Sequence, residues 1–336
     1  MNADTAHRDK RTTASLSLDA DNLWAYQMTH GDPGWDTYPT YLDALAERSL
    51  GMLDDLGLRI TFFVVGQDAA LERNRSAIES LAAAGHEIGN HSFRHQPWLH
   101  RYSLEEIHHE LGRTEDALVD VTGQRPVGFR GPGYSLSPDV LRVLMDRGYE
   151  YDCSTLPTVI GPLARRYYFR SAKLSAEQRA ERAHLFGSAR DGLQRLKPYR
   201  WVAGPQSLVE IPVTTMPLLR VPIHLSYVLY LAGPSPRAAL AYFSTAMRIC
   251  ALRGVQPSLL MHPLDFLGAD DVDSLRFFPG MELTGARKRE TIRQCLELYS
   301  SRFRVVTMRE HATELSGDRG LPTRSPQRTA IAKEDR

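Results

Sequence analysis

Two acids one residue apart, Asp19 and Asp21, close the stretch LSLDADNLW. Ala14, Leu16 and Leu18 alternate with Ser15 and Ser17 ahead of them, which predicts a strand that runs out onto the carboxylates. Like charges that close raise one another's pKa unless a cation compensates. A second pair, His91 and His95, sits four residues apart in GHEIGNHSFRH. On a helical turn that spacing aims both rings the same way. Two histidines and one carboxylate with open positions are a catalytic site for zinc or a similar divalent ion. A metal would let the acids coexist, one binding it and the other free to take a proton.

Other chemistry-bearing residues also fall where short apolar runs end. Phe129 leads into Arg130-Gly-Pro-Gly-Tyr134, Tyr151 into Asp152, and Ser258–Met261 into His262-Pro263. Parallel strands of a β/α barrel deliver their C-terminal ends to one mouth, so these residues are expected to meet there.

The elements that position them read as alternating strands and helices. Strands are expected at Ile60–Val65, Glu87–Gly89, Val127–Phe129, Glu150–Asp152, Leu208–Pro212, Ser258–Met261 and Phe303–Thr307. Helices are expected over about 40–56, 75–84, 103–121, 137–147, 235–253 and 285–299, that at Ser103 opened by a capping box with Glu106. No hairpin signal interrupts the series, which predicts parallel strands in a barrel or doubly wound sheet. Residues 156–205 break the rhythm as an insertion. Residues 1–13 and 316–336 are polar and charged and read as disordered tails around one domain over 14–315.

The 336 residues carry a net charge of +1 and no basic run, which excludes a nucleic-acid groove. Three scattered cysteines exclude a disulfide scaffold. No signal peptide is readable, so a cytoplasmic setting is expected, with a peripheral place at the inner membrane face as a variant. The longest apolar stretch, Met216–Gly233, contains Arg220, Pro222 and His224. It is expected in the core rather than across a bilayer, with a lipid-facing flap as the alternative.

The stretches SLDADN, TFFVVG, GHEIGNHSFRH, FRGPGYS, YDCST and LLMHP, in this order, resemble the NodB-homology polysaccharide deacetylases, carbohydrate esterase family 4. The resemblance implies a distorted (β/α)7 barrel and one divalent metal, zinc expected and other divalent transition metals as alternatives. Matched to the family motifs, Asp19 is the general base and Asp21, His91 and His95 are the metal ligands. Arg130 pairs with the base, and His262 is the general acid. The loop Pro132-Gly133-Tyr134 supplies the oxyanion donor, from the Tyr134 backbone. Here Ala20 separates acids that are usually adjacent, and the acid that usually orients the histidine is absent, leaving Asp152 or Asp265 as candidates. Trp24, Trp35, Tyr38 and Trp98 are candidate sugar-stacking rings.

The implied activity is removal of an N-acyl group, acetyl expected, from an amino sugar in a glycan, a glycolipid or another lipid-linked or glycosylated precursor. The alternatives are a cyclic-amide hydrolase on the same scaffold and a non-catalytic glycan- or metal-binding module.

Overall fold

In the computed structural model, described for residues 11–326 except 172, 173, 176, 178 and 180–188, strands and helices alternate around a largely parallel sheet. The order begins β1 (Thr13–Asp19), α1 (Leu23–His30), α2 (Leu42–Asp55), β2 (Thr61–Val64), α3 (Gly66–Ala69), α4 (Arg75–Ala83) and β3 (Glu87–Asn90). It continues with α5 (Leu104–Thr122), β4 (Gly128–Phe129), α6 (Pro138–Asp146), β5 (Tyr151–Asp152) and α7 (Gly161–Ser171). Then come β6 (Tyr199–Ala203), β7 (Gln206–Glu210), α8 (Leu225–Ala232), α9 (Pro236–Leu252), β8 (Ser258–Met261) and α10 (Pro263–Phe266). The order ends with α11 (Gly285–Arg302), β9 (Arg304–Val306), α12 (Met308–Ser316) and β10 (Thr323–Arg324).

Strands lie in the order β10-β6-β7-β5-β4-β3-β2-β1-β8, with β9 also on β1. The expected barrel is therefore an α/β sheet whose strand ladder stays open between β7 and β8. Pro212 follows β7 almost at once and has no N–H to continue a ladder. One backbone bond spans the gap, from Thr214 N to Ser258 O at 3.0 Å, helped by Ser258 N donating to Thr214 Oγ1 at 2.8 Å.

β1 is buried on both faces. Its period of two sets Ala14, Leu16 and Leu18 in the main apolar core and puts Ser15, Ser17 and Asp19 on the opposite face. The amphipathic helices cover the sheet. α5 starts on the expected capping box: Glu106 N donates to Ser103 Oγ at 3.3 Å and Ser103 N to Glu106 Oε2 at 2.8 Å.

Three expectations need correction. β6 lies at the end of what reads as irregular insertion and forms an antiparallel hairpin with β7, which overlaps the strand expected at Leu208–Pro212; the hairpin turns at Gly204 with φ 58°. Residues 317–326, expected in a disordered tail, place β10 parallel to β6. At the other end Thr12 O accepts from Arg304 N at 3.0 Å, so the ordered chain starts before residue 14. The remainder of both expected tails, 1–10 and 327–336, and part of the insertion lie outside the described residues.

Candidate metal and acid–base site

Register brings the strand ends together. Leu18 pairs with Met261 and Asp19 with Phe63, so Asp19 and His262 leave neighbouring strands at the same level. Val64 pairs with Asn90 and Asn90 with Phe129, which places His91 and Arg130 at that level too.

Asp21, His91 and His95 converge, with one ligand atom from each within 4.8 Å of the others. Asp21 Oδ1 lies 3.2 Å from His91 Nε2 and 2.9 Å from His95 Nε2. Burial alone would raise the Asp21 pKa. The facing His95 and His91 outweigh it and hold the carboxyl well below its usual range. His91 Nδ1 donates to Arg130 O at 2.6 Å, which fixes the ring so that Nε2 faces Asp21.

The histidines do not ride on a helical turn. Residues 91–95 are irregular, and Ser92 and His95 take left-handed φ values of 61° and 53°. Such conformations cost about 1–3 kcal/mol each and persist only where the surroundings enforce them. Here Glu110, buried on α5, accepts from Phe93 N at 3.1 Å and Arg94 N at 2.9 Å. Asn90 Oδ1 accepts from Ser92 N at 2.8 Å. Glu110 escaped the sequence reading, although an acid among Ile107, Leu111, Thr114 and Leu118 on the buried face of α5 is a visible signal.

Arg130 is fully buried and its Nη1 donates to Asp19 Oδ1 at 2.8 Å and Ser17 Oγ at 2.9 Å. Its Nε donates to Cys153 O at 3.1 Å, and the guanidinium stands 4.7 Å from the centre of the Phe63 ring. Burial works against this charge, but the Asp19 carboxylate more than offsets it and raises the arginine pKa. Asp19 Oδ2 lies 4.0 Å from His91 Nε2, so the second acid borders the ligand cluster while salt-bridged away from it.

His262 follows β8, and its Nδ1 sits 3.1 Å from Ser226 Oγ on α8. Ser226 in turn hydrogen-bonds the buried Asp265 carboxylate. With its proton committed to Asp265, the serine oxygen accepts from His262 Nδ1. Asp265 Oδ2 also takes the His262 backbone N–H at 2.8 Å. Asp265 thus reaches the ring through Ser226, a residue the sequence reading missed because it lies in an apolar stretch. His224 stands beside His262, ring centres 5.9 Å apart, and burial lowers its pKa to about 3.

Asp152 has a different place. It is paired in register with Glu210, hydrogen-bonded to it, and accepts from Ser154 Oγ at 2.6 Å. Ser154 Oγ takes the Gly131 N–H at 2.8 Å, so Asp152 braces the Arg130–Tyr134 loop rather than His262. Burial pushes up both carboxyl pKa values, Glu210 the further because the neighbouring Asp152 adds to the effect.

In the Pro132-Gly133-Tyr134 turn the Tyr134 N–H donates to Gly131 O at 2.9 Å, so the donor expected to face a substrate is engaged inside the loop. Trp24 is buried and its Nε1 donates to Asp68 at 2.9 Å, which makes it a support and not a stacking surface. Trp35, Tyr38 and Trp98 keep part of their surface in solvent, Tyr38 edge-on to Trp24. Asp68, unanticipated, receives Asn22 Nδ2 at 2.7 Å, Trp24 Nε1 and Asn74 Nδ2 at 3.2 Å, and so braces the chain just past Asp21.

The donor set suits a divalent cation. Asp21 Oδ1 and both His95 nitrogens are buried without an aligned hydrogen-bond partner among the described residues. Orphaned buried atoms are costly, and a cation held between Asp21 Oδ1 and one His95 nitrogen would satisfy two of them.

The polysaccharide deacetylase family pattern matches residues 32–151, which hold His91, His95, Arg130 and Tyr134. The chain resembles the NodB-homology polysaccharide deacetylases. It is 33% identical over 85 residues to the peptidoglycan-N-acetylglucosamine deacetylase of Listeria monocytogenes, covering 24% of this chain and 18% of that one. A peptidoglycan deacetylase-like protein of Gibberella zeae is 29% identical over 171 residues, 49% of this chain and 48% of its own. The matches thus span half or less of these relatives. Among solved structures, a Mycobacterium smegmatis protein assigned to the polysaccharide deacetylases superposes with a TM-score of 0.59 at 20% identity, over 93% of each chain. An allantoinase superposes with a TM-score of 0.58 at 16% identity, over 95% of each. At these identities both likenesses speak to the fold. Asp19, Asp21 and His262 lie outside the matched family segment; the fold sets both acids against its histidines and His262 on the neighbouring strand end.

Proposed function

We propose that the protein hydrolyses the N-acetyl amide of an amino sugar in a glycan. The observation that carries this reading is the meeting of three parts at one level of the sheet: the Asp21–His91–His95 cluster, the Asp19–Arg130 pair and His262. A pure binding module needs the first and has no use for both of the others. The matched relatives named as peptidoglycan or chitin deacetylases support the substrate class.

Asp21, His91 and His95 would hold the metal, with zinc suited to the two imidazoles and one carboxylate. A bound divalent cation supplies Lewis acidity to an amide oxygen and to water. Asp19, salt-bridged to Arg130 at 2.8 Å, accepts a proton from the attacking water. The water oxygen bonds to the acyl carbon, and the C–N bond breaks. His262, with Nδ1–H held by Ser226, would protonate the departing nitrogen from Nε2 in its imidazolium form and return to the neutral ring. Acetate and a free amine result. The partly exposed Trp35, Tyr38 and Trp98 are the rings left to contact a sugar.

The test is acetate release from N-acetylated chito-oligosaccharides and peptidoglycan fragments, with allantoin hydrolysis run in parallel, in zinc and in chelator. Zinc-dependent acetate release from a glycan is expected. Metal-loaded protein that releases no acetate overturns the reading, and turnover of the cyclic amide instead would replace it.

A further inference from the structure

Away from the strand ends, a cavity of about 360 Å³ is lined by Arg195, Lys197, Arg220, Arg253 and Leu218 among others, with no acidic side chain in its wall. None of the four cations pairs with a carboxylate among the described residues. Arg220 Nη1 and Arg195 Nε are buried without a hydrogen-bond partner among the described residues. Burial lowers the Arg220 pKa with no anion offsetting it.

Large apolar side chains stand out into solvent around this basic wall. Leu218 is 68% exposed, Leu219 64%, Leu193 83% and Leu252 86%. Leu193 and Leu252 are chain neighbours of the cavity-lining Arg195 and Arg253. The leucine pair caps a turn in which Arg220 N donates to Met216 O at 2.9 Å, with Leu218 and Arg220 at left-handed φ values of 78° and 55°. Thr158 Oγ1 and Val159 N both donate to Arg220 O, at 3.0 and 3.2 Å, and anchor that turn. A braced, strained turn that holds two leucines in water has no evident gain for the isolated chain.

Apolar anchors ringed by unpaired cations match one kind of partner. The leucines suit the acyl boundary of a bilayer and the arginines and lysine its phosphates. We propose that this face docks the protein on an anionic lipid surface, with a headgroup phosphate in the Arg195–Lys197–Arg220–Arg253 cavity and Leu218 and Leu219 inserted beside it. The turn lies a few residues before Ser226, so docking would hold the acid side of the site near the membrane. The inference stands whether or not the proposed deacetylation does.

Flotation of the full chain with vesicles tests it, comparing pure phosphatidylcholine with a 3:1 mixture of phosphatidylcholine and phosphatidylglycerol. Binding to the anionic vesicles alone is expected, weakening as salt rises. Arg220→Ala/Arg253→Ala should weaken it about 25-fold, since each lost cation near an anionic surface is worth about 1 kcal/mol, or about fivefold. Leu218→Ser/Leu219→Ser should weaken it at least about tenfold. Lys197→Glu, changed at one surface position, guards against misfolding of the double variants and should also lose binding. Absence of binding, equal binding to both vesicle types, or binding indifferent to all these changes overturns the proposal. So does saturable binding of inorganic phosphate with no vesicle binding, which would make the cavity a small-anion site.

Discussion

Arg130 and Asp19 offer the sharpest test of how the site is built. Their charges meet at 2.8 Å, with Arg130 fully buried and Asp19 5% exposed. At an effective dielectric constant of about 20, attraction at that range is about 6 kcal/mol. Desolvating each ion costs several kcal/mol, so the pair as a whole adds little against an apolar substitute. Losing one partner is a different matter. Arg130→Met strands the Asp19 charge and removes the donors to Ser17 and Cys153, and should cost about 3–5 kcal/mol. Asp19→Asn strands Arg130 and should cost a similar amount. The double variant strands neither, so its cost should fall short of the sum by about 2–3 kcal/mol. Urea unfolding at pH 7 on chelator-treated protein measures all four corners, because bound metal would otherwise add its own linkage. A cost below about 1 kcal/mol for Arg130→Met, the range of an exposed ion pair, or strict additivity, would refute the claim that Arg130 and Asp19 act as a coupled buried ion pair.

Three further outcomes are expected. His91→Ala should lose bound zinc by equilibrium dialysis, whereas Asp19→Asn should keep it and lose about 10²–10⁴ in turnover; loss of metal in Asp19→Asn would make that acid a ligand. Ser226→Ala should keep the metal and lower kcat about tenfold with little change in KM, altering the limb of the pH–rate profile set by the acid; an unchanged profile would reduce Ser226 to packing. Asp68 has a folded pKa of about 7 against 3.8 ordinarily, chiefly from burial. Its protonated form is the one the fold favours, so the stabilisation is complete below about pH 4 and is lost as pH rises to about 7. Asp68→Asn keeps an oxygen for Asn22, Trp24 and Asn74, and should be about 2–4 kcal/mol more stable than the parent at pH 8 and equal to it near pH 4. Parallel pH curves for the two proteins would rule this out.

The sequence alone determined what is local. Alternation of Leu16 and Leu18 with serines placed Asp19 at a strand end, and Ser103 with Glu106 announced α5, because side-chain period and capping chemistry act over a few residues. That the acids after β1 would meet His91 and His95 was legible because parallel strands share one end, and the family resemblance singled out Asp21 among them. Tertiary structure decided which buried polar groups found each other. His91 and His95 converge through left-handed backbone held by Glu110, and Asp152 went to Glu210 while Asp265 reached His262 through Ser226. Trp24 turned inward to Asp68, and the Tyr134 N–H closed its own turn. A buried donor or acceptor must find a partner, and the partner is set by which elements the packing brings within about 3 Å. Sequence spacing carries no record of that distance.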